Sequence, residues 1–438
     1  MPSPNQDTEK NKIGLATSTS LVIGNMIASG VFMLPATLAI YGGISLMGWI
    51  VSGLGAMCLA LVYSWLSRHV KNATGGPYAY TREGLGEFAA FQVAWGYWIS
   101  IWVTNAAIAV GFVSYLTAFI PVVGQNPYYS VGTGLAAVWF LTWINSLGIR
   151  EGGKIQVITT VMKLAPLLLI SIGGLFYLKS DHFVPFNVSE ESDLSAITNA
   201  TTLTLFAFLG LECATIPSGN VKDPEKTIPR ATILGTLITT IVYVLGTVAI
   251  MGIIPPATLQ YSQAPFADAA ANIWGDSARY LIAAGAVVST FGALNGWIIM
   301  QGQIPMAAAR DRLFPRIFAK ENKKSTPVFS LVISSVLISI LMTMGFTKTL
   351  AETYKFMILL TTLTVLIPYL FSTAAYAILE LRKNPVLTGG VALKLFVTVL
   401  AFGYSIWAVV GCGEEIVFTG FILLLLGTPI YVWMKRKD

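Results

Sequence analysis

Charge is scarce in this chain: Asp, Glu, Lys and Arg together make up 11% of its residues, where a soluble domain carries roughly 25%. That scarcity excludes an ordinary water-facing surface. Cysteine is nearly absent as well. Cys58, Cys213 and Cys412 sit in or beside apolar runs without metal-ligand spacing, which argues against a disulfide framework and a zinc site. No metal and no cofactor are expected. The two histidines, His69 and His182, read as solvated loop residues, and the clustered His, Asp or Glu of a membrane hydrolase is missing. There is no G-x-x-x-x-G-K-[ST] loop, which argues against an ATP-driven pump.

What the chain has instead is apolar length. Of its 438 residues, 55% are hydrophobic and mean hydropathy is +0.70, so the expected class is an all-α integral membrane protein. Twelve apolar runs are long enough to span, near 14–38, 43–66, 87–119, 129–149, 156–178, 195–219, 230–254, 277–306, 327–346, 354–380, 391–411 and 416–434, since about 20 helical residues cross the hydrocarbon core. The first run is too long for the apolar part of a signal peptide, and the residues before it are polar, so it is expected to stay in the membrane.

Lys and Arg fix the expected orientation. With a cytoplasmic N-terminus, nearly all of them fall in inside segments, including Arg310, Arg312, Arg316, Lys320, Lys323 and Lys324 in one loop. Lys179, Arg279, Lys348 and Lys355 fall outside, and Lys163 lies within a span. Both termini are therefore expected in the cytoplasm, in a multi-pass protein of the cell inner (plasma) membrane. The net charge of +6 is then a consequence of topology, and no nucleic-acid partner is read from it.

Two runs are interrupted by small and polar residues where lipid would not tolerate them: Gly24-Asn25-Met26-Ile27-Ala28-Ser29-Gly30-Val31-Phe32 and Phe206-Ala207-Phe208-Leu209-Gly210-Leu211-Glu212. A break there frees amides and carbonyls that hydrocarbon cannot satisfy. The amides that open the second half-helix suit an anion and the last carbonyls of the first half-helix suit a cation. An amino acid carries both charges. The breaks open the first and sixth runs, which suggests a five-plus-five inverted repeat with discontinuous helices 1 and 6 and two extra C-terminal helices. The expected divisions are a cytoplasmic tail (1–13), a first repeat (14–178), an outer loop (179–194), a second repeat (195–384) and a C-terminal part (385–438).

Several motifs carry a resemblance. The segment Asn25 to Gly30, the loop Gly75-Gly76-Pro77-Tyr78-Ala79-Tyr80, the run Phe208 to Glu212, the loop from Lys222 to Ala231, Leu313-Phe314-Pro315 and the run Ile406 to Gly411 resemble the amino acid, polyamine and organocation transporter family. Within it the chain is most similar to bacterial antiporters of basic amino acids. The resemblance implies a LeuT-like fold and a homodimer. It also implies that Ser29 and the amides near Gly30 hold a substrate carboxylate, and that carbonyls of Met26, Phe206 and Leu209 take the α-ammonium. Asn25, Ser100, Asn105 and Trp297 would line the side-chain pocket, with Tyr97 and Tyr78 nearby and Glu212 on the route to a gate. The alternative for Trp297 is a plain packing aromatic, and for Glu212 a fixed structural carboxylate.

The chain departs from that pattern in places. Ala28 stands where the family has its first glycine, and Phe206 where the basic amino acid exchangers hold a tryptophan over the substrate, which weakens cation–π attraction. Ile101 and Leu359 replace smaller, more polar residues. Lys163 stands where some sodium-independent members carry a lysine; its ammonium would replace sodium and, if burial lowers its pKa, would also move a proton. The alternative is a stem reaching to the cytoplasmic face. The expected function is thus sodium-independent secondary transport, an exchange of cationic amino acids or their amines by alternating access. A neutral amino acid exchanger, proton-coupled uptake and a non-transporting sensor of the same fold are the competing readings. The expected partners are a small amino acid or amine and membrane lipid.

Overall fold

The computed structural model describes residues 13–70, 75–148, 165–215, 221–345 and 348–436. Among the described residues the chain is helical, and its extended pairing is confined to an isolated bridge between Ile13 and Val221. The organising helices are α1 (Leu15–Met26), α2 (Ser29–Leu38), α3 (Ser45–His69), α4 (Pro77–Leu85), α5 (Glu87–Leu116) and α6 (Pro127–Ser146). There follow α7 (Ala165–Tyr177), α8 (Asp193–Leu205), α9 (Pro224–Ile253), α10 (Pro265–Trp274), α11 (Asp276–Arg310), α12 (Val328–Met344), α13 (Leu350–Lys383) and α14 (Gly389–Val410). The last is α15 (Glu414–Lys435).

Seven helical stretches among the described residues are long and apolar enough to cross a membrane: Leu15–His69, which contains α1 to α3, and α5, α9, α11, α13, α14 and α15. The apolar helices α7 and α12 are shorter. Helix starts follow local chemistry. Asn126 accepts the Tyr128 amide ahead of α6, Ser192 accepts that of Ser195 ahead of α8, and Thr349 and Glu352 exchange hydrogen bonds in a capping box that opens α13.

The centre is α5, packed between α11 and α13. It can sit there because its inner positions are small, with Ala106, Ala107 and Ala109 fully buried. Small residues likewise let α3 approach α8: a Cβ on Gly48 would lie 2.7 Å from Ala200 Cβ, and close backbone approach is what holds helices together where no hydrophobic drive operates. The loop 179–194 docks on the 3-10 turn after α2, with Ile44 donating to Phe186 O at 2.7 Å and Val188 to Tyr41 O at 3.2 Å.

Two places share one local construction. In α4 a proline opens a 9-residue helix that ends at Gly86 (φ 87°, ψ −175°), from which α5 starts at Glu87. In α10 a proline opens a 10-residue helix that ends at Gly275 (φ 83°, ψ −177°), from which α11 starts at Asp276. Both glycines have positive φ, the region other residues rarely adopt.

Candidate functional site

The first interruption is a change of backbone direction. Helix α1 stops at Met26, Ile27 adopts φ −75° and ψ 84°, Ala28 adopts φ −116° and ψ −138°, and α2 resumes at Ser29. Ala28 stays at negative φ, outside the left-handed region that favours glycine. No side chain caps α2, which leaves its first-turn amides as donors for an anion. The Ser29 hydroxyl is buried 3.3 Å from the Tyr354 hydroxyl.

The second interruption faces the first. After α8 the chain makes a 3-10 turn over Phe206–Phe208, extends at Leu209 (φ −61°, ψ 136°) and turns at Gly210 with φ +98°. A Cβ on Gly210 would lie 3.2 Å from Asn25 Cβ, and one on Gly30 would lie 3.1 Å from Ala207 Cβ. The breaks are therefore in direct contact. Tyr243 of α9 joins them through one hydroxyl, 2.6 Å from Met26 O and 2.9 Å from Ala207 O. Phe206 meets Tyr354 edge-on, with ring centroids 6.1 Å apart.

Around this pair the walls are aromatic and amide. Trp297 is buried and its Nε1 donates to Asn25 O at 3.3 Å. Glu212 is fully buried and accepts from Tyr97 at 2.7 Å and from Tyr369 at 3.1 Å, so each carboxylate oxygen has a phenol donor. Asn105 donates its Nδ2 to Gln301 Oε1 at 2.7 Å. Ile101 and Leu359 are buried. Among the anticipated residues, the structure thus groups Asn25, Met26, Ala28, Ser29, Gly30, Phe206, Leu209 and Trp297 at the two breaks, and ties Tyr97 to Glu212. The Ser100 hydroxyl bonds within its own helix, to Tyr97 O at 2.8 Å.

Tyr78 is held elsewhere. It donates to Asp311 Oδ2 at 2.9 Å, just beyond the end of α11, and burial together with that carboxylate holds its phenol well above the usual range. It therefore stays a neutral donor over the working pH range. Lys163 lies outside the described residues.

The reading of His69 as a solvated loop residue is corrected. It is the last residue of α3, with Nδ1 3.0 Å from Trp65 O and Nε2 3.0 Å from Oε2 of fully buried Glu380, whose Oε1 meets Lys394 Nζ at 2.9 Å. A buried carboxylate has to recruit positive charge, and Lys394 of α14 supplies it. Sequence reasoning also missed Tyr243, Tyr354, Tyr369 and Gln301. The available signal was a hydroxyl or amide inside an apolar run, which must find a partner when buried.

A family profile described as amino acid permease matches residues 13–432. The chain is 32% identical over 465 residues to the putative arginine/ornithine antiporter of Bacillus subtilis (strain 168), covering 98% of each chain. It is 36% identical over 333 residues to the cadaverine/lysine antiporter of Escherichia coli (strain K12), covering 76% of this chain and 74% of the relative. It is 31% identical over 430 residues to the putrescine transporter PotE of Haemophilus influenzae, with 98% of each covered.

Proposed function

The chain belongs to the amino acid permease family, and from that premise we propose that it exchanges cationic amino acids or their amines across a bacterial cell membrane. It is a transporter rather than an enzyme. The observation that carries the reading is the contact between the two breaks, which brings uncapped amides and bent-away carbonyls together inside a helical membrane protein. A zwitterion fits that chemistry: its carboxylate on the amides of Ser29 and Gly30, its ammonium on the carbonyls of Met26, Phe206 and Leu209. Asn25, Asn105 and Trp297 then receive the side chain. The relatives named for arginine, ornithine, lysine, cadaverine and putrescine support a cationic distal group.

Alternating access follows if the two repeats move about this site. The recurrence of proline, short helix, positive-φ glycine and long acidic-start helix at α4–α5 and α10–α11 supports the division into repeats at 14–178 and 195–384. The bent backbone at Ile27–Ala28 and at Leu209–Gly210 supports discontinuous helices at α1/α2 and after α8 within a twelve-span fold. The placement of Lys and Arg supports cytoplasmic termini, and the apolar outer faces of α14 and α15 suit lipid or a second copy of the chain. The Tyr97–Glu212–Tyr369 link closes the path on the inner side of the breaks. Lys163 takes the place of a coupling sodium ion.

The test is counterflow in liposomes. Purified protein reconstituted with internal lysine, ornithine or cadaverine should accumulate labelled arginine or lysine, and liposomes without internal substrate should not. Accumulation driven by neutral amino acids alone, or binding without any flux, would overturn the proposal in favour of a neutral exchanger or a sensor.

A further inference from the structure

The acidic side chain beside the two breaks is Glu212, and each of its oxygens is held by a tyrosine hydroxyl. Neutral acceptors can add to the selection of a cation, and an amide is an acceptor only if its oxygen points the right way. Which way Asn105 points is decided by a residue further from the pocket.

Gln301 is fully buried on α11, one turn beyond Trp297 and so on the same helix face. Its Nε2 lies 3.2 Å from the Leu331 carbonyl and 3.0 Å from Ser335 Oγ, both on α12. A carbonyl can only accept. The Ser335 hydroxyl donates within its own helix, to Leu331 O at 2.9 Å, so towards Gln301 it accepts too. Both contacts therefore require the nitrogen of Gln301 to face α12 and its oxygen to face Asn105. That oxygen in turn requires Asn105 to present Nδ2, at 2.7 Å. The remaining atom, Asn105 Oδ1, is buried with no hydrogen-bond partner. Reversing either amide would set oxygen against oxygen or nitrogen against nitrogen.

We infer that Gln301 is a positioning residue that fixes the Asn105 amide with its oxygen left for the distal cation of the substrate, and so sets the preference for cationic over neutral side chains. The inference rests on the exchange reading above. It gives the unpartnered oxygen a reason, because a buried acceptor left bare is costly unless a ligand donor completes it. A neutral aliphatic side chain would leave it bare, whereas an ammonium or guanidinium would satisfy it.

The test is a binding panel on the full-length purified protein: dissociation constants for arginine, lysine, alanine and leucine, read by calorimetry, in wild type, Gln301→Met, Asn105→Leu and the double variant. Gln301→Met keeps the length of the side chain and removes the amide's contacts with Asn105, Leu331 and Ser335. It should lower the cationic-over-neutral affinity ratio about tenfold, the order of one hydrogen bond to a charged group, and should lower it no further when Asn105 is already Leu. Ser335→Ala, which sits on α12, should move the ratio a few-fold in the same direction and keeps the test decisive if Gln301→Met does not fold. An unchanged ratio in Gln301→Met, or in Ser335→Ala if only that variant folds, would overturn the inference. So would equal loss for all four ligands, or further loss in the double variant. Failure of the underlying reading looks different: wild type itself would show no preference for arginine or lysine.

Discussion

The Tyr97 hydroxyl donates to Glu212 Oε1 at 2.7 Å while Tyr369 donates to Oε2 at 3.1 Å, so a single buried carboxylate links α5 to α13 across the second break. Removing one donor should loosen the link without touching the breaks themselves. Tyr97→Phe is expected to cost about 1.5–3 kcal/mol of that closure and to change exchange rate several-fold at nearly constant substrate affinity. Counterflow rates compared with calorimetric affinity would check this; a loss of affinity equal to the loss of rate would place Tyr97 in direct substrate contact instead.

The second break needs glycine at position 210. Gly210 has φ +98° and its missing Cβ would press on Asn25, so Gly210→Ala should destabilise the protein by about 1–2 kcal/mol from backbone strain alone and reduce binding further. Ala28→Gly should leave binding intact, because glycine adopts the φ −116° and ψ −138° of Ala28 readily. Thermal unfolding in detergent, with and without lysine, separates the two expectations.

Tyr243 tests the joint between the breaks. With Phe in its place, Met26 O and Ala207 O lose their shared donor, at a cost of about 1–3 kcal/mol for a buried acceptor left unmade. Substrate affinity should fall, since the same carbonyl region is assigned to the ammonium. Wild-type affinity in Tyr243→Phe would mean that the joint plays no part in shaping the site.

The Glu380 cluster predicts an order of stabilities. Glu380→Gln leaves His69 and Lys394 facing no anion and, being fully buried, should cost about 3 kcal/mol. Lys394 is 38% exposed and solvent screens its own charge, so Lys394→Ala should cost less than Glu380→Gln. Unfolding midpoints in one detergent would show the order, and a reversed order would mean that the lysine rather than the carboxylate organises the cluster.

Sodium should be dispensable. Replacing it with choline at constant pH and membrane potential is expected to leave initial counterflow unchanged, and a large loss would remove Lys163 from the proposed cation position.

The non-helical backbone at Ile27–Ala28 and Leu209–Gly210 has a local signal in the sequence: glycine, serine and asparagine inside an apolar run have few structural uses. Family membership was legible for the same reason, in short motifs such as Gly75 to Tyr80 and Phe208 to Glu212. The partners were not legible. Tyr243 serves Met26, Gln301 serves Asn105 and His69 serves Glu380 across 217, 196 and 311 residues of chain, and helical periodicity says which residues share a face without saying which helix that face meets. The similarity of α4–α5 to α10–α11 was hidden because it resides in backbone conformation at Gly86 and Gly275, with few identical side chains around it. His69 was misread because it stands beside basic residues at a helix end, where a loop was the simpler expectation.

The two C-terminal helices are built differently from the rest. Within their most apolar stretches, 28% of α14 and 22% of α15 is buried, against 89% for α5, and Phe396, Phe418 and Phe421 stand exposed. Such helices are held less by neighbouring side chains than by hydrocarbon, which asks only for apolar bulk. Leu, Ile, Val and Phe are nearly interchangeable there, while Gly48 against Ala200 admits no larger residue. Over evolutionary time the substitutions this protein can absorb silently will therefore accumulate at its C-terminal end, and two descendants will diverge first in the part that lipid, rather than protein, keeps in place.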